Sequence, residues 1–458
     1  MLLEPLTKPD IKRFNIQVNE AVIYDSPKPL TRAEIERFNT PIDETVIYDP
    51  LSLVKKAKGS KIWIEGEDEP YLDLIMAYSS TNFGHANDTI LGFVKEAAER
   101  YDNIIAFNSI SKIELSRKLI DLLPNPGNKI PYFPVGGTKA IEAAVKMAKA
   151  YTKKDTVIAF SGAFHGYSYV AMTFTDDDYI EKSQFGTYPG KVKKFPFPHR
   201  LSANTEEIVK EILGEIESYL KLNQNEVAAI LFEPIQGAAG FIIPPDNFLR
   251  DLILLAKKYN VITICDEIQT GIGRAGTFYY INQLNIDPDI VLLGKSLAGG
   301  YYPLSAVIAN KELYDAVDEK RPGFDSTFAT NLFGIYIANL VIDYIKEKDI
   351  LTAVQRTGKT VSSKLGLIIK DFSFIKDFDS IGMAYGFRVE APSGKIEGSS
   401  ALAKRIKEEA FRNHLIIQTA GTDGDHIKLS PNFFISEAEI RFVLKKLTQI
   451  FNSIDKSL

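Results

Sequence analysis

Five near-continuous apolar runs set the tightest limit on how this chain folds. They are "TVIAF" from Thr156, "EVAAILF" from Glu226, "VITIC" from Val261, "DIVLL" from Asp289 and "PLSAVIAN" from Pro303. A strand with one wet face alternates apolar and polar residues; these runs do not, so both their faces are covered. Helical signals lie between them. In "AIEAAVKMAKAY", Ile141, Ala144, Val145 and Ala148 recur at helical spacing, and "NFLRDLILLAKKYN" reads as a second helix. Strands alternating with helices predict an α/β chain with a mostly parallel central sheet covered by helices. Sites on such sheets lie outside the carboxyl ends of the strands.

The flanks read differently. "KIWIEGEDEPYLDLI" predicts two strands around an acidic turn. After Asn331, "LFGIYIANLVIDYIKEK" is a long amphipathic helix, followed by short strand signals in "GMAYGFRVEAP" and "HLIIQTAG" and by terminal helices. The expected division is an N-terminal arm and joining segment over 1–75, a large domain over 76–335 and a smaller α+β domain over 336–458, which the N-terminal segment completes. An echo marks the arm: Arg-Phe-Asn and Val-Ile-Tyr-Asp recur from Arg13 and Arg37, 24 residues apart. Two copies are too few for a solenoid, so this reads as a local duplication.

Composition excludes several partners. The 458 residues carry a formal charge of -5 with no basic block, which argues against nucleic acid. The single cysteine, Cys265, makes no intrachain disulfide or zinc cluster and suits a reducing, cytoplasmic compartment. "MLLEPLTKPD" has prolines and charges too early for a signal peptide. No apolar run approaches the roughly 18 residues that a membrane span needs.

Chemistry-bearing residues cluster at the predicted strand ends. In "DIVLLGKSLAGG", Lys295 follows an apolar run and sits among small residues. A lysine there is costly unless neutral, paired or covalently occupied, although alone it also reads as a strand-end lysine snorkelling to water. Asp266 in "ICDEIQTG" and Glu233 in "LFEPIQG" end two other strands. "VGGTKAIEAA" places Gly136, Gly137 and Thr138 at a helix start, where exposed N–H groups favour a phosphate; taken alone, Thr138 reads as an N-cap. "FHGYS" offers Phe164 and His165 as faces for a flat ligand. "GIGRAG", Gly271 to Gly276, matches a dinucleotide template, but no good helix opens from it, so that reading is weak. One ligand uses the lysine, the carboxylate, the phosphate cradle and the aromatic face together: pyridoxal 5'-phosphate. Its aldehyde takes a lysine amine as a Schiff base, and its ring nitrogen takes a carboxylate.

With "ICDEIQTGIGRAG" and "DIVLLGKSLAGGYYPLSAVI" in view, the chain resembles the class III aminotransferases, the ornithine and 4-aminobutyrate aminotransferase family of fold type I pyridoxal-phosphate enzymes, from about Tyr48 to the C-terminus. The resemblance implies that Lys295 is the Schiff-base lysine and proton shuttle and that Asp266 pairs with the pyridinium. It implies Gln269 near the ring's phenolic oxygen, Gly136, Gly137 and Thr138 at the phosphate, Phe164 stacked on the ring with His165 beside it, and Glu233 in the network that orders the cofactor. Thr327, in "DSTFATN", resembles a threonine that reaches the neighbouring subunit's phosphate, which implies a homodimer, or a dimer of dimers, with shared active sites. Tyr48 and Tyr78 fall where family members contact substrate.

Departures from the family pattern concern the substrate. Asn-Ser-Gly-Thr-Glu-Ala becomes Val135 to Ala140, which loses a serine hydroxyl and introduces Lys139. The usual carboxylate-gripping arginine is Lys428, its glutamate partner is Ala238, and the arginine after His-Gly is Tyr167. Lysine is a point charge and not a bidentate fork, so Lys428 grips a planar carboxylate less specifically. The implied reaction moves an amino group from an amino acid or ω-amino compound to a 2-oxo acid through a pyridoxamine form. The alternative is an amino-acid racemase or epimerase of the same family, with Tyr48, Tyr78 or Tyr167 as the opposing acid. A non-catalytic binder is the third reading, and intact Lys295 and Asp266 argue against it.

Overall fold

The computed structural model describes residues 52–458 except 105–106, 177–184, 187, 318–322, 325 and 393–397. Tyr48 and the N-terminal echo lie outside the described residues. Val54–Leu458 form one compact unit built on three sheets.

Near the N-terminus, β1 (Val54–Lys58), β2 (Lys61–Ile64) and β3 (Tyr71–Asp73) pair antiparallel, and β2 and β3 flank the acidic turn expected there. The central sheet uses β4 (Lys129–Tyr132), β5 (Thr156–Phe160), β6 (Lys191–Phe195), β7 (Val227–Phe232), β8 (Ile262–Asp266), β9 (Ile290–Leu293) and β10 (Ala306–Asn310). Its order is β4-β10-β9-β8-β7-β5-β6. Toward the C-terminus, β11 (Ile375–Ile381), β12 (Ala384–Val389), β14 (Gln418–Ala420) and β15 (His426–Leu429) form an antiparallel sheet. Between them in sequence, β13 (Leu415–Ile416) leaves to pair with β3, Leu415 opposite Leu72, so a C-terminal strand completes the N-terminal sheet.

The five apolar runs all become strands of the central sheet, and alternation along each serves both faces. Val157 and Ala159 of β5 and Ala229 and Leu231 of β7 pack with Ile141, Ala144, Val145 and Ala148 of the helix Gly137–Thr152. Ile158, Phe160, Ile230 and Phe232 point the other way, into the core that includes Leu249, Leu252 and Ile253 of the helix Asp246–Lys258. Period-two side chains with both faces covered leave no polar stripe, which is why the runs are continuous. From β9 through β6 the pairings are parallel, whereas β10 runs antiparallel to β9 and to β4. No helix crosses the sheet between β9 and β10, so the chain turns back beside β9.

Two strands without an apolar signature, β4 and β6, sit at the sheet's edges. Pro131 is tolerated in β4 because one side of an edge strand has no ladder to complete. β6, "KVKKF", leaves Lys191 and Lys193 largely open to water, as edge strands commonly do. The Thr138 N-cap expectation is corrected: the helix begins at Gly137, its N-cap is Gly136 at φ 80° and ψ 151°, and Thr138 lies inside the first turn. Glycine enters that backbone region without a Cβ penalty, so the helix starts two residues earlier than a Thr138 cap would place it.

Candidate active site

Parallel direction carries four strand ends to one edge. Phe164 and His165 follow β5, Glu233 follows β7, Asp266 closes β8 and Lys295 follows β9. Two antiparallel steps restore the direction at β4, so Gly136 and Gly137 arrive on that edge as well. A cavity of about 410 Å³ opens there, lined by Gly136, Gly137, Thr138, Phe164, His165, Glu233, Asp266, Gln269 and Lys295. Nine expected site residues thus share one wall. Ser80, Gly166, Ile268 and the segment Gly300–Leu304 complete it and were not anticipated. The signal for the last of these was the "GGYYPL" that directly follows the Lys295 turn.

At the floor, the Asp266 carboxylate accepts from His165 Nδ1 at 2.8 Å and from the Ile268 N–H at 3.0 Å. His165 is itself anchored, its N–H donating to Thr175 Oγ1 at 2.9 Å while that hydroxyl donates to the Gly166 carbonyl. Glu233 is a backbone clamp: its two oxygens accept the Phe164 and Gly237 N–H groups, each at 2.9 Å. Burial pushes its carboxyl up to about 6. Lys295 opens a short 3-10 turn, Lys295–Ala298, at φ 46°, a region that costs a non-glycine residue on the order of 1 kcal/mol or more. Burial, and then the charge of Lys428, bring its amine down to about 7, so a neutral amine is available near neutral pH.

Small residues let these elements close up. A Cβ at Gly166, φ 119°, would stand 2.3 Å from Thr138 Oγ1, and one at Gly237 would stand 2.0 Å from Gln269 Oε1. Lys139 turns from the cavity to bond Glu142 Oε2 at 2.7 Å, so it adds no charge to the cradle.

Of the other expected site residues, Tyr78, Tyr167, Lys428 and Thr327 do not line this wall. Tyr78 lies in a run of four positive-φ residues, Met76–Ser79, whose start Asp73 holds by accepting the Ile75 and Met76 N–H groups at 2.7 and 3.0 Å. Lys428, on β15, is buried; its Nζ donates to the Gly237 carbonyl at 3.2 Å and lies 5.8 Å from the ring centres of both Tyr78 and Phe241. Tyr167 is half-exposed and meets Phe164 edge-on at 4.9 Å. Thr327 is exposed, its carbonyl accepting from Asn103 Nδ2 at 3.0 Å.

A flat, phosphorylated pyridine aldehyde fits this wall. An amine of lowered basicity shares the cavity with a carboxylate held by a histidine. The amino end of a 16-residue helix supplies unpaired N–H groups suited to a phosphate. Phe164 offers a ring. Gln269 lines the cavity, and its buried Nε2 donor has no partner among the described residues, which costs about 1–3 kcal/mol unless a ligand oxygen accepts it.

Known proteins place this geometry. The family model Aminotransferase class-III matches residues 45–451. A probable 4-aminobutyrate aminotransferase of Bacillus subtilis (strain 168) is 29% identical over 397 residues, covering 84% of this chain and 90% of its own length. A leucine/methionine racemase of Thermococcus litoralis is 28% identical over 412 residues, covering 88% and 90%. Among solved structures, the taurine:2-oxoglutarate aminotransferase of Bifidobacterium kashiwanohense, in complex with PLP and glutamate, superposes with a TM-score of 0.83 at 22% identity, covering 94% of this chain and all of that one. That likeness carries the fold.

Proposed function

The chain belongs to the class-III aminotransferases, a family of pyridoxal-phosphate enzymes, and on that premise we propose that Lys295 is the reacting amine of an amino transfer from an amino acid or ω-amino compound to a 2-oxo acid. The donor leaves as an oxo compound, and its nitrogen stays with the enzyme until the acceptor collects it. One observation carries the assignment of roles: an amine brought to about 7 shares a cavity with a histidine-held carboxylate and a helix start.

Bound pyridoxal phosphate supplies an aldehyde for amines and a protonated ring that takes up electron density from the substrate's Cα. The protein does the rest. Asp266 holds the proton on the ring nitrogen, and His165 fixes the direction of that carboxylate. Gly137 and Thr138 would bind the phosphate with backbone N–H groups and the Thr138 hydroxyl, on a turn that Gly136 shapes while its own N–H donates to the Pro303 carbonyl at 2.6 Å. Phe164 covers one ring face, held in place by Glu233. Once freed by substrate, the neutral Lys295 Nζ would take the proton from Cα and return it two atoms further along, at the carbon that was the cofactor's aldehyde. Lys428, beside Tyr78 and Phe241, offers a buried cation to a substrate carboxylate.

A second copy completes the site in this reading. Phe107 and Ile110 are 74% and 76% exposed, and Phe328, next to Thr327, is 51% exposed. Asn103 bridges the two segments by donating to the Thr327 carbonyl. An apolar surface of this kind suits a homodimer in which Thr327 reaches the partner's phosphate. No helix among the described residues is long and apolar enough to cross a membrane, and a lone buried cysteine suits a cytoplasmic enzyme.

Racemisation is the second reading, supported by the racemase relative and by the joint absence of the arginine and glutamate that Lys428 and Ala238 replace. One experiment separates the two. Single amino acids and ω-amines are added to the purified protein carrying its cofactor, without an oxo acid, and the absorption spectrum is followed. Loss of the resting band with one equivalent of oxo product supports amino transfer. A persisting band with loss of optical purity establishes racemisation instead.

A further inference from the structure

The segment Gly271–Gly276, which matches a dinucleotide template without its helix, carries one of the most deeply buried charges in the protein. Arg274 is 1% exposed, and no described carboxylate pairs with it. Its Nη1 donates to the Met383 and Pro431 carbonyls, each at 2.8 Å, and Nη2 donates to Asn82 Oδ1. The Phe433 ring centre lies 5.1 Å from the guanidinium carbon. A guanidinium only donates, so it fixes the Asn82 amide with oxygen toward Arg274 and nitrogen away. That nitrogen donates to Ser296 Oγ at 3.0 Å, and the Asn82 carbonyl accepts the Phe433 N–H at 2.8 Å. Asn82 and Ser296 are each 1% exposed.

Ser296 adjoins Lys295 in the 3-10 turn whose first residue is strained. Pro431 lies just beyond β15, which carries Lys428, and Met383 lies just before β12, the neighbour of β15. The relay therefore joins the turn of the reacting amine to the strand pair that carries the buried cation.

We propose that Arg274 is a positioning residue for Lys295: through Asn82 and Ser296 it holds the lysine turn at a set distance from the Lys428 strand. The proposal rests on Lys295 being the reacting amine. Packing alone gives no reason for the arrangement. An uncharged side chain of similar size would fill the space without burying an ion, and unpaired buried ions are costly. What a guanidinium adds is simultaneous bonding to three acceptors from three segments, with the amide orientation that follows.

The test uses the protein carrying its cofactor. Arg274→Met, Ser296→Ala, Asn82→Ala and the Asn82/Ser296 double variant are compared in the half-reaction with a single amine, and the resting absorption band is titrated with pH. Ser296→Ala removes one hydroxyl and leaves the backbone intact, so it keeps the test usable even where Arg274→Met fails to fold. Expected are a fall in the rate constant of about 2- to 10-fold with KM nearly unchanged, the scale of one hydrogen bond. A moved pH midpoint of the resting band is expected too, with a double variant no slower than the slower single. A lower melting temperature with unchanged rate and unchanged midpoint overturns the proposal, as do fully additive losses. Lys295→Ala is run alongside: if it keeps both band and turnover, the amine assignment itself fails, independently of the relay.

Discussion

His165 Nδ1 donates to Asp266 Oδ2 across 2.8 Å, and the two residues are 2% and 5% exposed. The bond places the ring proton on Nδ1, and the buried Nε2 has no partner among the described residues. It also ties the β5 end to the β8 end, 101 residues apart in sequence. Asp266→Asn keeps the shape of this pair and removes the charge. Cofactor affinity and turnover should each fall about 10- to 100-fold, the scale of a hydrogen bond to a charged group, as measured by absorption titration and steady-state rates. Unchanged values would assign the ring nitrogen to another group.

Lys428→Met tests the electrostatics of the Lys295 amine. The folded cofactor-free protein holds Lys295 near 7 against an ordinary 10.5, so between those values it binds fewer protons than the unfolded chain. Its stability therefore rises with pH across that window. Removing the Lys428 charge should move the lower end of the window upward. Less amine is then neutral at pH 7, and capture of added pyridoxal phosphate slows. The rate of capture against pH reports the midpoint directly, and an unmoved midpoint rejects the coupling.

Glu233 titrates in the opposite sense. Burial raises its carboxyl from 4.5 to about 6, so the folded protein binds more protons than the unfolded chain in that interval. This contribution, about 2 kcal/mol, is complete below 4.5 and is lost as pH rises through 6. Glu233→Gln should flatten the change in melting temperature between those pH values. It should also cost about 1–3 kcal/mol overall, because one of the Phe164 and Gly237 N–H groups loses its acceptor. A melting profile as steep as that of the parent protein would place the titration elsewhere.

Gly166→Ala should weaken cofactor binding without touching a charged group. The added methyl would stand 2.3 Å from Thr138 Oγ1, at a φ of 119° that alanine resists. Relief requires Thr138 to swing away from the helix start. A raised dissociation constant for pyridoxal phosphate is expected; an unaltered one would show that Thr138 takes no part in binding.

Light scattering should return the mass of two chains, and Phe107→Lys should shift it toward one with loss of turnover. A parent protein that is monomeric and fully active removes the need for Thr327 from a partner.

Legibility differed sharply between the two kinds of residue in this site. Lys295, Asp266, Glu233 and Phe164 were readable because each stands at the end of an apolar run, and strand direction alone brings such ends to one edge. The relay through Arg274 was not, since Asn82 and Arg274 lie 192 residues apart and Asn82 and Ser296 lie 214 apart. Nor were β4 and β6, which lie at the edges of the sheet and need no apolar signature. By itself the sequence determined the layers, the edge that carries the chemistry and the residues that reach it, because periodicity and turn chemistry are local. Only the tertiary structure decided which buried donor meets which acceptor, which oxygens the Arg274 guanidinium finds and how burial, and then Lys428, bring Lys295 down. Those pairings depend on how separate segments pack, and no periodicity records them.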